Sequence, residues 1–179
     1  MHRTKLIQLL HAYIPQTAQQ DLCKDEMLAF IHAHPDCFER SLTIGHITAS
    51  AWLLSKDASK ALLMHHTKLN KWLQLGGHCD GESDVLAVAI KEAQEESGVM
   101  NIVPVHTEIF DIDIHLIPEN NREKAHYHYD VRFLLQVIGD EQVIQNSEAK
   151  ELRWIGKNVK ALPTQEESVV RMLDKWLTM

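Results

Sequence analysis

The stretch GGHCDGESDVLAVAIKEAQEESGV, residues 76–99, joins a glycine-rich turn to an amphipathic helix. Within it Glu92, Glu95 and Glu96 are spaced so that all three carboxylates fall on one helix face. Like charges held this close repel one another, so the face is easiest to understand as a platform for a hard divalent cation. Oxygen-rich sites of this kind suit Mg²⁺ or Mn²⁺. A solvated acidic face is the commoner origin of such a pattern. Two neighbours argue for a fixed element instead: Leu86, Ala89 or Ile90, and Ala93 form a stripe that buries the opposite side, and Gly98 stops the helix as a C-cap glycine would.

The chain resembles the Nudix hydrolases, whose motif reads Gly, five residues, Glu, seven residues, then Arg-Glu-apolar-any-Glu-Glu-any-Gly-apolar. Gly77, Glu92, Glu95, Glu96, Gly98 and Val99 match it. Lys91 stands at the Arg position, Ala93 is a small version of the apolar residue, and Ser83 replaces the first Glu, with Glu82 and Asp84 on either side. The resemblance implies an α/β fold, an α/β/α sandwich with a mixed sheet, that cleaves a diphosphate linked to another group, with Glu92, Glu95 and Glu96 holding Mg²⁺ or Mn²⁺. Lys91 would brace these carboxylates or touch phosphate, although it lacks the planar fork of Arg. Gly77 and Arg132 are the other expected phosphate contacts.

That chemistry has its own physical logic. Cleaving a diphosphate needs the phosphate charge neutralised and a water deprotonated beside phosphorus, and metal ions do both. One glutamate not fully committed to metal would then serve as general base, and Glu95 and Glu96 are the candidates.

A chain of 179 residues with 45% hydrophobic content supports one well-buried core and an appendage. The expected division is an N-terminal helical extension over residues 1–40 and a catalytic domain over 41–179. A net charge of −7 without a Lys/Arg block excludes a nucleic-acid polymer as a natural partner, whereas a small phosphorylated substrate masked by metal remains allowed. Cys23, Cys37 and Cys79 are widely spaced without a CxxC, which reads as free thiols in a reducing cytoplasm. The N-terminal LIQLLHAYI is broken by Gln8 and His11, and no apolar run approaches membrane length. A cytoplasmic protein without membrane contact is expected.

Helical spacing predicts one helix from about residue 3 to 14, ended by Pro15, and a second from about 18 to 33, ended by Pro35. Lid, dimer element and packing cap are the three roles open to this hairpin, so a homodimer stays on the table. From His46 the pattern turns to β, with HITASAWLLS and KALLMHH flanking a turn at residues 57–60. IVPVHTEIFDIDIHLI, a polar loop at residues 118–125, HYHYDVRFLLQVI and KELRWI follow. Residues 164–177 read as a closing helix with Glu166 and Glu167 in its first turn. Asp111, Asp113 and His115 alternate along one strand face, where the two open readings are a border to the substrate and, the commoner case, a solvent-facing strand edge.

The histidines are numerous, 12 in all, and not randomly placed. In HYHYDVRF, strand alternation sends His126, His128, Asp130 and Arg132 to one face and Tyr127, Tyr129, Val131 and Phe133 to the other. Two histidines at i and i+2 can share a metal, and His78 and His46 would complete four nitrogen ligands for a second divalent ion such as Zn²⁺. Phosphate-contacting or ordinary hydrogen-bonded histidines are the competing readings. A second resemblance bears on this: isopentenyl diphosphate isomerases, which share the Nudix fold, carry an HxAFSSW-like strand start, a GHPxxGES-like loop and an ExE strand pair around one metal. His46-ITASAW, Gly77-His78-CDGES and His126-Tyr127-His128 fall on those places. The isomerases put an acid–base cysteine two residues before the loop histidine, where this chain has Gly76.

Glu148, just before KELRWI, falls where Nudix proteins often present another carboxylate to the metals. Trp52, Trp72, Trp154 and Tyr129 are aromatics open to base stacking but more commonly core. Taken together, the expected function is a metal-dependent pyrophosphohydrolase acting on a nucleoside diphosphate linked to another group, or on a nucleoside triphosphate. A non-catalytic nucleotide- or metabolite-binding module, and a diphosphate isomerase, are the alternatives.

Overall fold

Thr17 opens the longer of two N-terminal helices by accepting a hydrogen bond from the backbone N–H of Gln20. In the computed structural model, which describes residues 2–119 and 124–179, α1 spans Thr4–Ala12 and α2 spans Ala18–Ala33. The chain leaves α1 at Tyr13 in an extended conformation ahead of Pro15, which could not continue the helix. These spans match the expected hairpin to within end-fraying.

The sheet contains β1 (Gly45–Leu54), β2 (Lys60–His66), β3 (Trp72–Leu73), β4 (Leu75–His78), β5 (Ile102–Pro104), β6 (Asp111–Ile117), β7 (His126–Val137) and β8 (Ala149–Gly156). Helix α3 (Val85–Ser97) follows β4, and a 3-10 turn (Val159–Ala161) precedes α4 (Glu167–Leu177). β1 and β7 run parallel, from the pair Gly45–Tyr127 to the pair Leu54–Gln136, and every other pairing is antiparallel. The free edge of β1 is divided. Thr48, Ala49, Ser50 and Ala51 pair with β4, whereas Leu53 and Leu54 pair with β2, which goes on to β3 and β8. The sheet therefore forks, and the functional cavity lies in that fork.

Alternation along β1 divides the core. Ile47, Ala49, Ala51 and Leu53 pack with Leu6, Leu10, Met27, Phe30 and Ile31 of the hairpin and with Val85, Val88, Ala89 and Ala93 of α3. Trp52 and Leu54 face the other way, against Val169, Met172, Leu173 and Trp176 of α4. Helices thus cover both faces, as expected for an α/β/α sandwich. Phe30 stacks on Tyr129 with ring centroids 3.8 Å apart, so Tyr129 is committed to anchoring the hairpin rather than to a ligand. Trp52 is wholly buried, and truncating it to Ala would cost about 3–5 kcal/mol. Trp154 is half-buried against the hairpin-side core, and Trp72 lies between the ring of His65 and the guanidinium of Arg153.

Three expectations change in detail. The run 102–117 is not one strand: residues 105–110 bulge out of the β7 edge between β5 and β6, just after Pro104, which has no N–H to give the ladder. Helix α4 starts at Glu167 rather than near Thr164, because Thr164 Oγ1 accepts from the Glu166 N–H in a turn and the Glu166 carboxylate pairs with Lys71 at 3.0 Å. Asp111 is not at a solvent-facing edge but fully buried. It is engaged by Gln20 Nε2 (2.9 Å), Arg132 Nη1 (3.2 Å), Arg171 Nη2 (2.8 Å) and Lys175 Nζ (2.6 Å). Antiparallel pairing of β6 with β7 sets Asp111 opposite Arg132, and neither that register nor the covering helix α4 could be foreseen from β6 alone. The polar loop read at residues 118–125 falls partly on residues 120–123, outside the described residues.

Candidate active site

Helix α3 is fixed at both ends. Asp84 caps it by accepting from the Ala87 N–H and pairs with Lys5 of α1 at 2.6 Å, and Glu82 Oε1 accepts from the Asp84 N–H at 2.8 Å. The two acids flanking Ser83 therefore serve the helix start. At the other end Gly98 takes a left-handed conformation, φ 74°, that a side chain would strain. The buried stripe is Val85, Val88, Ala89 and Ala93, with Leu86 and Ile90 only half-buried. One turn further along that stripe comes Glu96, a carboxylate on what is otherwise the core side of the helix.

Glu96 is 4% exposed, and its Oε2 accepts from the Gly76 N–H at 2.7 Å. Burial, with some repulsion from Glu92, Glu148 and Glu95, pushes its carboxyl up to about 8. Burial also raises Glu92, opposed chiefly by Lys91, whose ammonium lies 3.7 Å from both Glu92 and Glu95. Gly77 lies under the Glu92 carboxylate so closely that a Cβ there would collide with it. A side chain at Gly77 would therefore have to push the Glu92 carboxylate aside.

A cavity of about 830 Å³ opens here, lined by Glu92, Glu96 and Glu148 and by Gly76, Gly77 and Gln74. The other side of β4 contributes His78, with His46 packed behind it and His126 and His128 alongside. Glu95 is not part of this lining: its side chain is 57% exposed, beside Lys91. Lys91 is likewise 63% exposed and braces Glu92 from outside. Arg132 does not face the cavity either. It is 1% exposed and bound to Asp130 (2.7 Å), Asp111 (3.2 Å) and Asp113 (3.3 Å), so no donor fork is left for a phosphate.

Sequence reasoning missed the floor of the cavity. Asp130, buried and held by Arg132, also accepts from Thr48 Oγ1 (3.0 Å), Ser50 Oγ (2.7 Å) and Gln74 Nε2 (3.2 Å). The alternation of HITAS with HYHYD carries that signal, since Thr48 sits opposite Asp130 in the parallel register. No helix among the described residues is long and apolar enough to cross a membrane. The three cysteines are unpaired, and Cys79 is buried in the core.

A family model described as the NUDIX domain matches residues 45–174. The chain belongs to the Nudix family. Solved structures of similar fold agree. A NUDIX-family hydrolase from Clostridium perfringens is 25% identical over 74% of this chain and 96% of that one, with a TM-score of 0.55. The Ap4A hydrolase of C. elegans, in a binary complex, is 17% identical over 74% and 97%, TM-score 0.55. The MutT protein of Methanosarcina mazei Go1 is 18% identical over 75% and 94%, TM-score 0.57. No curated protein sequence matches the chain significantly. As a Nudix hydrolase the chain carries its helical hairpin ahead of the matched region, which begins at Gly45.

Proposed function

We propose that this Nudix hydrolase is a Mg²⁺- or Mn²⁺-dependent pyrophosphohydrolase of a small nucleoside diphosphate derivative or a nucleoside triphosphate. The observation that carries the reading is the buried Glu96 carboxyl beside Glu92 and Glu148 at a cavity large enough for such a ligand. Glu92, Glu96 and Glu148 offer oxygen donors with a single flanking ammonium, chemistry that suits a hard cation. Glu92 and Glu148 would hold it. When bound, such an ion neutralises phosphate charge and acidifies a water.

Of the two glutamates considered as general base, Glu96 is the one that faces the cavity. The Gly76 N–H fixes its Oε2 and leaves Oε1 for the water's proton. Its proton affinity lies near the working pH, which favours proton transfer in either direction. Lys91 opposes the burial that raises Glu92 and braces its carboxylate from outside. Asp130, with the Thr48 and Ser50 hydroxyls, supplies a polar floor for the non-phosphate part of the substrate.

The test is a screen of nucleoside diphosphate derivatives, dinucleotides and triphosphates with Mg²⁺ or Mn²⁺, reading phosphate and pyrophosphate release. Turnover that depends on the cation and disappears in Glu96→Gln supports the proposal. Isomerised product without phosphate release, or full activity in Glu96→Gln, would count against it.

A further inference from the structure

Across β4 from the glutamates, His46, His78 and His128 each bring a ring nitrogen to one place, and these nitrogens all lie within 4.8 Å of one another. Among the described residues this is the only such gathering of three metal-ligand side chains. Ring centroids are 5.0 Å apart for His46 and His78, 4.9 Å for His46 and His128, and 5.0 Å for His78 and His128. Three strands enforce this: Thr48 pairs with His78 across β1 and β4, and His46 pairs with His128 across β1 and β7.

Packing alone does not explain the cluster. His46 is 3% exposed, and neither of its ring nitrogens makes a hydrogen bond of ordinary geometry. An unsatisfied buried polar group costs about 1–3 kcal/mol, and a bound cation would offset that cost. A neighbouring histidine is already oriented. His126 Nδ1 contacts the Lys124 carbonyl at 2.8 Å; donating there leaves Nε2 as the lone-pair nitrogen, 3.3 Å from His128 Nε2. With Zn–N bonds of about 2.0–2.1 Å, tetrahedral ligand nitrogens lie about 3.3 Å apart.

We propose that His46, His78 and His128 form a binding site for a borderline divalent cation of the Zn²⁺ class, with His126 beside a fourth position that opens on the cavity shared with Glu92 and Glu96. Imidazole nitrogens favour such ions, whereas carboxylate oxygens favour Mg²⁺ and Mn²⁺. The two sides of β4 therefore select different metals. An ion held by the histidines would face a phosphate or carboxylate oxygen of a ligand in the cavity.

The experiment strips the full chain with a chelator, adds excess Mg²⁺ to occupy the glutamates, and titrates with Zn²⁺ or, separately, Co²⁺. One Zn²⁺ retained per chain, and the visible absorption of four-coordinate Co²⁺, are expected. His78→Ala and His128→Gln should each weaken Zn²⁺ binding on the order of 100-fold or more with unchanged circular dichroism, while Glu92→Gln retains it. Zn²⁺ displaced by Mg²⁺, wild-type affinity in both histidine variants, or loss of Zn²⁺ in Glu92→Gln alone would overturn the proposal. Should the His128 variant fail to fold, His78→Ala, at the end of the short strand β4, decides. Mg²⁺-dependent turnover is read separately, so its absence leaves this result standing.

Discussion

The glutamate side and the histidine side of β4 meet the same difficulty in opposite ways. Both crowd ionisable groups where burial disfavours charge. Glu96 stays neutral by keeping a proton, its carboxyl raised to about 8. His46 and His128 stay neutral by giving one up, since burial holds His46 down to about 4 and His128 to about 2. A neutral carboxylic acid must shed its proton before it can act as a base, whereas a neutral imidazole already offers a lone pair. One side is therefore gated by pH near neutrality and the other is not.

The strongest way to sharpen this contrast is Glu96→Gln. It should lower Mg²⁺-dependent turnover by about 10²- to 10⁴-fold, measured by phosphate release, while a thermal melt shows the fold intact. Stability of the metal-free protein gives the next test, and the signs differ. Glu96, raised above its ordinary value, contributes stability that is complete below pH about 4.5 and is lost progressively as pH rises to about 8, a loss of about 5 kcal/mol. His46, lowered, contributes stability that is present above pH about 6.5 and lost as pH falls through about 4. Chemical denaturation across pH should find Glu96→Gln flattening the alkaline limb and His46→Gln the acidic limb.

Calorimetry in buffers of different ionisation enthalpy tests the same asymmetry at pH 7. Mg²⁺ or Mn²⁺ should release a fraction of a proton from Glu96, abolished in Glu96→Gln; release undiminished in that variant would break the contrast. The smallest effect is expected for Lys91→Ala. An exposed ammonium 3.7 Å from its partners is worth at most about 1 kcal/mol, so the metal requirement should rise only a few-fold in activity titrations.

The helix α3 and its glycines were legible because a short-range pattern encodes them: carboxylate spacing, a C-cap glycine, an apolar stripe. The hairpin helices were legible for the same reason, with prolines marking their ends. Alternation in HYHYDVRF correctly placed His128, Asp130 and Arg132 on one face, but it could not say which would be open. Arg132 lies beneath three carboxylates because α4, more than thirty residues on, closes over it with Arg171. Nor could the helical period separate Glu95 from Glu96. One residue of rotation turns the first to solvent and the second into the core side, and only the position of Gly76 reveals which is which.

Asp111 gathers groups from elements far apart in sequence. Gln20 of α2 and Lys175 of α4 both reach it, and the Lys175 ammonium also contacts the Tyr13 hydroxyl at 2.8 Å across 162 positions. During folding, this carboxylate acquires its full set of partners only after two segments that have no local reason to meet have both docked. The hairpin and α4 should consequently gain amide-exchange protection together, late, and as one cooperative unit rather than in order of synthesis.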